Sequence, residues 1–168
     1  MSIDITITAD LPPKGKGRPR VAIQCGHAHA YTPEPTRRWE AQLAALASTQ
    51  LPSTAIDGPV RVDILAIEAR PQRLLKRWAR PRPDGHGDGT WAQPMGLLWR
   101  PTRPDADNVR KSVLDALCSF WRDDSQVVRG ETLSLYAEVD GRARVVVRIR
   151  DDVGDPVDAV AALGMLGR

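Results

Sequence analysis

The sequence predicts an α+β fold: one mixed domain in which a β-sheet is packed by helices. Three observations carry that prediction. Ile3, Ile5 and Ile7 alternate with Asp4, Thr6 and Thr8, and Val60, Val62, Ile64 and Ala66 repeat the pattern. Period two is the signature of a strand with one buried face. Two other stretches, near Trp39 and near Val113, space their apolar residues by three and four, the period of a helix. The two kinds of segment are interleaved along 168 residues, a length that suits one domain with a real core.

Composition narrows the class further. Hydrophobic content is 42%, ordinary for a globular chain. Net charge is +3 and the isoelectric point about 9.2, so the placement of charge matters more than its sum. Cys25 and Cys118 are far apart and form no CxxC pair, which argues against zinc and for a reducing, cytoplasmic setting. No apolar run approaches the roughly 20 residues that span a bilayer, and no signal peptide is evident. A membrane partner is therefore not expected.

In chain order, Ile3 to Ala9 is the first strand. Lys14 to Arg20 reads KGKGRPR, four cations among glycines and a proline. Two readings stand side by side: a flexible phosphate-binding loop of Lys14, Lys16, Arg18 and Arg20, or a solvated charge run. Val21 to Gln24 and Ala28 to Tyr31 predict a short hairpin, with His27 and His29 as loop histidines. Thr36 to Leu51 predicts a helix, capped by Thr36 and stopped by Pro52, with Trp39, Leu43, Leu46 and Ala47 inward. Arg37 and Arg38 in its first turn are either incidental or contacts to a nucleic-acid backbone. Pro59 to Glu68 is the second clear strand.

Arg70 to Arg82 then carries six cations and no acid. It predicts a short basic helix over Pro71 to Ala79, within a basic insert at about 70–99. Arg73, Lys76, Arg77 and Arg80 would lie along phosphates. Pro83 to Pro94 reads as a loop, and Met95 to Arg100 as a strand. Gln126 to Val128 and Thr132 to Val139 are expected strands. Asp140-Gly141 predicts a tight hairpin turn into Ala143 to Ile149. From Asp151 the chain turns acidic, with a helix expected within about 151–168.

The acidic exception lies at Pro104 to Val127. Asp105, Asp107, Asp115, Asp123 and Asp124 gather there around Lys111. Val109, Val113, Ala116, Leu117 and Phe120 mark one helical face, and Asp107 or Asn108 would cap it. Lys111 and Asp115 are four apart, hence neighbours. Taken singly, these are an acidic cap, a surface ion pair and a polar turn. Together, like charges in a basic protein invite a divalent cation, because crowded carboxylates destabilise a fold unless something neutralises them.

The run Pro-Asp-x-Asp-Asn-x-x-Lys, then Asp-Ala-Leu, then Trp-x-Asp-Asp-x-Gln-Val, resembles the RusA-type Holliday-junction resolvases of phages and prophages. A weaker likeness extends over Lys14 to Arg20 and Tyr31-Thr32-Pro33. The resemblance implies a homodimeric endonuclease, dependent on Mg²⁺ (Mn²⁺ as a substitute), that nicks four-way DNA junctions in symmetric pairs during recombination and repair. By that resemblance the catalytic residues are Asp105, Asp107, Lys111 and Asp124, and the three aspartates are the metal ligands. The setting would be the cytoplasm of a bacterial or phage-infected cell. Two other functions stay open: a nuclease for other branched or flapped DNA, and a junction-binding protein without catalysis.

Overall fold

The computed structural model describes residues 3–25, 27–78 and 96–151. The expected acidic helix beyond Asp151, the 83–94 loop, all of Arg80 and the side chains of Lys76 and Arg77 lie outside them.

The fold is α+β. The main sheet contains β1 (Asp4–Ala9), β4 (Val60–Glu68), β5 (Leu98–Trp99), β6 (Val127–Arg129), β7 (Thr132–Tyr136) and β8 (Arg144–Arg150). Its order is β1-β8-β4-β7-β5, with β6 pairing β4 below β7. β4 is the central strand. It runs parallel to β6 and β7 and antiparallel to β8, and β1 closes one edge antiparallel to β8. The alternation read from the sequence holds: Val60, Val62, Ile64 and Ala66 are buried on one face, with Val145, Val147 and Ile149 beside them.

Two helices cover that face. α1 spans Glu34–Ser48 and α3 spans Ala106–Leu117. Trp39, Leu43 and Ala47 of α1 join Val109, Val113, Ala116 and Leu117 of α3 in one core with Ile7 and the strand residues. A side chain such as Leu117, fully buried there, contributes about 1.5–3 kcal/mol by leaving water. A smaller cluster of Ile67, Leu135 and Ala137 lies apart from this core. A third helix, α2 (Gln72–Trp78), follows β4.

Several expectations need correction. Helix α1 starts at Glu34, two residues before the expected cap, and Thr36 is buried within the first turn. Pro35 near the helix start accounts for this, since its fixed φ already suits a first turn. Leu46 is exposed, because the inward stripe is centred on Thr36, Trp39, Leu43 and Ala47 and leaves it at the margin. Helix α3 starts two or three residues early, with Asp105 in place of Asp107 or Asn108 at the cap. The strand expected over 95–100 is only Leu98–Trp99 among the described residues. Asp140-Gly141 makes a local turn, Gly141 N–H donating to the Glu138 carbonyl at 3.0 Å, but it joins no hairpin. β7 and β8 sit on opposite sides of β4. The apolar, nine-residue β4 takes a neighbour on each side, and the chain crosses its end to supply both.

The hairpin of β2 (Arg20–Gln24) and β3 (His27–Tyr31) is a separate two-stranded ribbon, as expected. Val21, Ile23 and Tyr31 on it are exposed.

Candidate active site

The 14–20 loop crosses the N-terminal end of α3. Its glycines are needed there: a Cβ on Gly15 would stand 2.8 Å from both Asn108 Nδ2 and Pro104 Cβ, and one on Gly17 would stand 2.7 Å from Thr36 Oγ1. Lys16 N–H donates to the Asn108 carbonyl at 3.1 Å. The middle of the loop is packed between α1 and α3.

This packing opens a cleft of about 570 Å³. Lys14 and Arg18 line it from the loop, facing Arg103, Pro104, Asp105 and Asn108. Three cations and one carboxylate thus share one wall-to-wall opening, and such a trough attracts a phosphodiester. Arg103 was missed in the sequence because it lies just before the motif with no helical or strand period to place it.

Arg100 was missed as well, and it builds the approach to Asp105. It is buried, and its Nη1 donates to the carbonyls of Thr102 (3.1 Å) and Arg103 (2.9 Å). Its Nη2 donates to the Pro104 carbonyl at 3.0 Å. One guanidinium fork thus orders the turn that delivers Asp105 to the helix cap. The RPTRP run was the available signal.

Asp105 caps α3 in an extended conformation, and its carbonyl accepts from Val109 N–H at 3.0 Å. Asp107 lies in the first turn, where the helix dipole favours an anion. Its carboxylate is 3.7 Å from Lys111 Nζ, and the Asp107 side chain is 75% exposed. Such an exposed pair is weak, so both groups remain accessible from solvent. The neighbour expected for Asp115 was Lys111; instead Asp115 pairs with Lys16.

Lys16 was expected among the phosphate contacts. Its ammonium lies against Asp115 and 2.8 Å from Glu40 Oε1. Burial alone would lower its pKa, but hydrogen bonds to the two carboxylates outweigh that and hold it above its ordinary value. Arg20 is exposed at the root of the hairpin. Arg73 is exposed on α2, beside Leu98, Trp99 and Tyr136.

Asp124 stands elsewhere. Its Oδ1 accepts from Trp121 Nε1 at 3.1 Å, within a turn anchored to the start of β4. Gln126 Nε2 donates to the Ile56 and Gly58 carbonyls, and Arg122 pairs with Asp57. Asp123 caps the turn; a hydrogen bond from Ser125 holds its carboxyl below the ordinary range. The 12-residue α3 lies between Asp105 and this turn, a rise of about 18 Å. Strand register agrees. Val127 sits beside Val60, whereas Arg100 N–H reaches Ser134, which sits beside Ala66. Six residues of strand measure about 20 Å.

Asp105 and Asp107 offer oxygen donors of the type a hard divalent cation takes, since one or two carboxylates plus water and substrate phosphate can hold such an ion. Asp124 of the same chain does not share that site. Among the described residues, no three His, Cys, Asp or Glu side chains come together as a metal group. His27 and His29 are not loop residues as expected but exposed members of β3, because the strand pairs them with Gln24 and Ala22 across the turn.

A family model described as endodeoxyribonuclease RusA matches residues 10–150. A curated relative, the uncharacterized protein YqaN of Bacillus subtilis (strain 168), is 32% identical over 148 residues. That alignment covers 88% of this chain and 96% of the relative. Among the described residues, no helix is long and apolar enough to cross a membrane.

Proposed function

We propose, from the premise that this chain belongs to the RusA endodeoxyribonuclease family, that it resolves four-way DNA junctions by paired cleavage as a Mg²⁺-dependent homodimer. The observation that carries the reading is the cleft in which Lys14, Arg18 and Arg103 meet Asp105. Those cations would bind the scissile phosphate and its neighbour through charge-assisted hydrogen bonds. Lys111, exposed one turn beyond Asp107, would offset charge that develops on the phosphate. Asp105 and Asp107 would hold Mg²⁺ or, as a substitute, Mn²⁺. When bound, such an ion lowers the pKa of a water and polarises a phosphoryl oxygen.

A four-way junction has pseudo-two-fold symmetry, and two nicks need two sites; a C2 dimer meets both needs. The position of Asp124 supports the same assembly. Its turn is tied by Gln126 and Arg122 to Ile56, Asp57 and Gly58 just before β4, about a helix length from Asp105. An Asp124 that serves catalysis as a ligand would therefore reach an Asp105–Asp107 pair from a second copy.

The test is cleavage of a synthetic mobile four-way junction, with Mg²⁺ and with chelator, beside matched duplex and flap DNA. Paired symmetric nicks on the junction alone, lost with chelator, are expected. Asp107→Asn should abolish cutting while binding stays intact or tightens, since a ligand and a repelling charge are both removed. Preferential cutting of flap or duplex would overturn the substrate, and binding without nicking would overturn the enzyme. Mixed dimers of Asp107→Asn and Asp124→Asn sharpen the result. If the two carboxylate sets meet across the dimer, one intact site returns and each junction is nicked once. If each site lies within one chain, both sites stay dead.

A further inference from the structure

We propose that Lys16 is a positioning residue: held between Glu40 of α1 and Asp115 of α3, it fixes the basic loop so that Lys14 and Arg18 face Asp105. The inference rests on the junction-cleaving reading, for which the loop supplies phosphate contacts.

Four observations carry it. The Lys16 ammonium is 2.8 Å from Glu40 and pairs with Asp115 at the same time, while its side chain is only 25% exposed. Its backbone N–H is bound to the Asn108 carbonyl at 3.1 Å, so both ends of the residue are engaged. Gly15 and Gly17 on either side admit no Cβ against Asn108, Pro104 and Thr36 without displacement. Lys14 and Arg18, next along the loop, line the cleft, whereas Lys16 does not.

Charge decides the role. One lysine between two carboxylates leaves the group at −1, and a phosphate brought to Lys16 would meet Glu40 and Asp115 as well. An ammonium has three donors, and two already have charged acceptors. The same contact gives Asp115 a function. It anchors the loop from the face of α3 that also carries Asp107 and Lys111, so the basic wall of the cleft and the carboxylates are set on one helix. A misplacement of about 1 Å in such a constellation can cost on the order of a hundredfold in rate.

The experiment compares Lys16→Met, Asp115→Asn, the double variant and Lys14→Met. Each is measured for the salt slope of junction binding, for single-turnover cleavage at saturating junction, and for amide hydrogen exchange over residues 14–20 without DNA. Lys14→Met should lower the salt slope by about 0.9, the value of one lost phosphate contact. Lys16→Met should leave the slope unchanged, speed exchange across the loop, and slow saturated cleavage by about tenfold to a hundredfold. The double variant should be no slower than Lys16→Met, since removal of Asp115 relieves the repulsion between two abandoned carboxylates. A slope loss near 0.9 for Lys16→Met with saturated cleavage intact would overturn the proposal. Should Lys16→Met fail to fold, Asp115→Asn alters a partly exposed side chain and gives the same reading; loop exchange unchanged in that protein would overturn the clamp. Hydrogen exchange needs no activity, so a wild-type protein that cuts no DNA would sink the junction reading and leave the clamp separately tested.

Discussion

The loop at 14–20 and the segment that starts at Arg70 look alike in sequence: both are short, basic and free of acids. The fold treats their cations differently. In the loop, Lys14 and Arg18 line a cleft while Lys16 is spent on Glu40 and Asp115. In the second segment, Arg73 is exposed, but Arg70 is 7% exposed and is a structural clasp. Its Nη2 donates to the carbonyls of Gly96 (2.6 Å) and Ala137 (2.9 Å), and its Nε also donates to Ala137 (3.1 Å). It ties the end of β4 to the chain before β5 and after β7. A count of cations therefore overstates, in both places, how many are left without an intramolecular partner of this kind. A cation enclosed by carbonyls or carboxylates is satisfied where it is, and leaving would cost the desolvation of its partners.

The sharpest way to break this comparison is to treat Arg70 and Arg73 alike. Arg70→Ala should destabilise the protein by about 3 kcal/mol, because buried carbonyls lose their donors. Arg73→Ala should change stability by less than about 0.5 kcal/mol, as exposed substitutions do. Chemical denaturation of the two proteins decides; equal losses would erase the distinction.

The next largest effect belongs to the cleft. Lys14→Ala with Arg18→Ala should lower the salt slope of DNA binding by nearly 2 and weaken affinity about tenfold or more at moderate salt. Folding should be unaffected. An unchanged slope would remove the cleft from the DNA path. Arg73→Ala should lower the slope by about 1 or less. A loss as large as that of the cleft pair would put α2 at the centre of the interface.

The smallest effect concerns an acid enclosed by cations, the counterpart of Lys16. Asp63 accepts from Arg150 Nη2 (2.7 Å), Glu131 N–H (3.0 Å) and Arg61 Nε (2.8 Å). Burial would raise its pKa, but these donors together bring it below the ordinary 3.8. A depressed carboxylate stabilises the fold fully above that value and ceases to as pH falls through its folded pKa. The stability deficit of Asp63→Asn relative to wild type should therefore be full near neutrality and shrink as pH drops below 3.8. A deficit constant down to strong acid would mean that packing, and not charge, is lost.

Local pattern was enough for much of the fold. Alternation placed β1 and β4, and three-and-four spacing gave the buried faces of α3 and most of α1, because side-chain direction follows from backbone period alone. The same logic failed where the partner is distant. Asp140-Gly141 is a good turn, yet a turn does not choose its strand's neighbour; β4 took both places beside it. Thr36 resembles a cap, but Pro35 let the helix begin earlier. Asp115 and Lys111 are neighbours by spacing, while Lys16, 99 positions away in the chain, was the stronger partner.

What the sequence by itself determined is the chemistry at hand: an α+β domain, a helix bearing Lys111 and Asp115 with Asp105 and Asp107 before or at its start, and two basic segments. Those follow from short-range periodicity and from residue type. What only the tertiary structure decided is which of these groups meet. It packed Gly15 and Gly17 against two helices, turned Lys16 and Arg70 inward, set Arg103 beside Asp105, and left Asp124 beyond the far end of α3. The reason is physical: a charge is assigned by whatever acceptor or donor the folded chain brings within about 3 Å of it, and that partner is fixed by the packing of distant elements rather than by its neighbours in sequence.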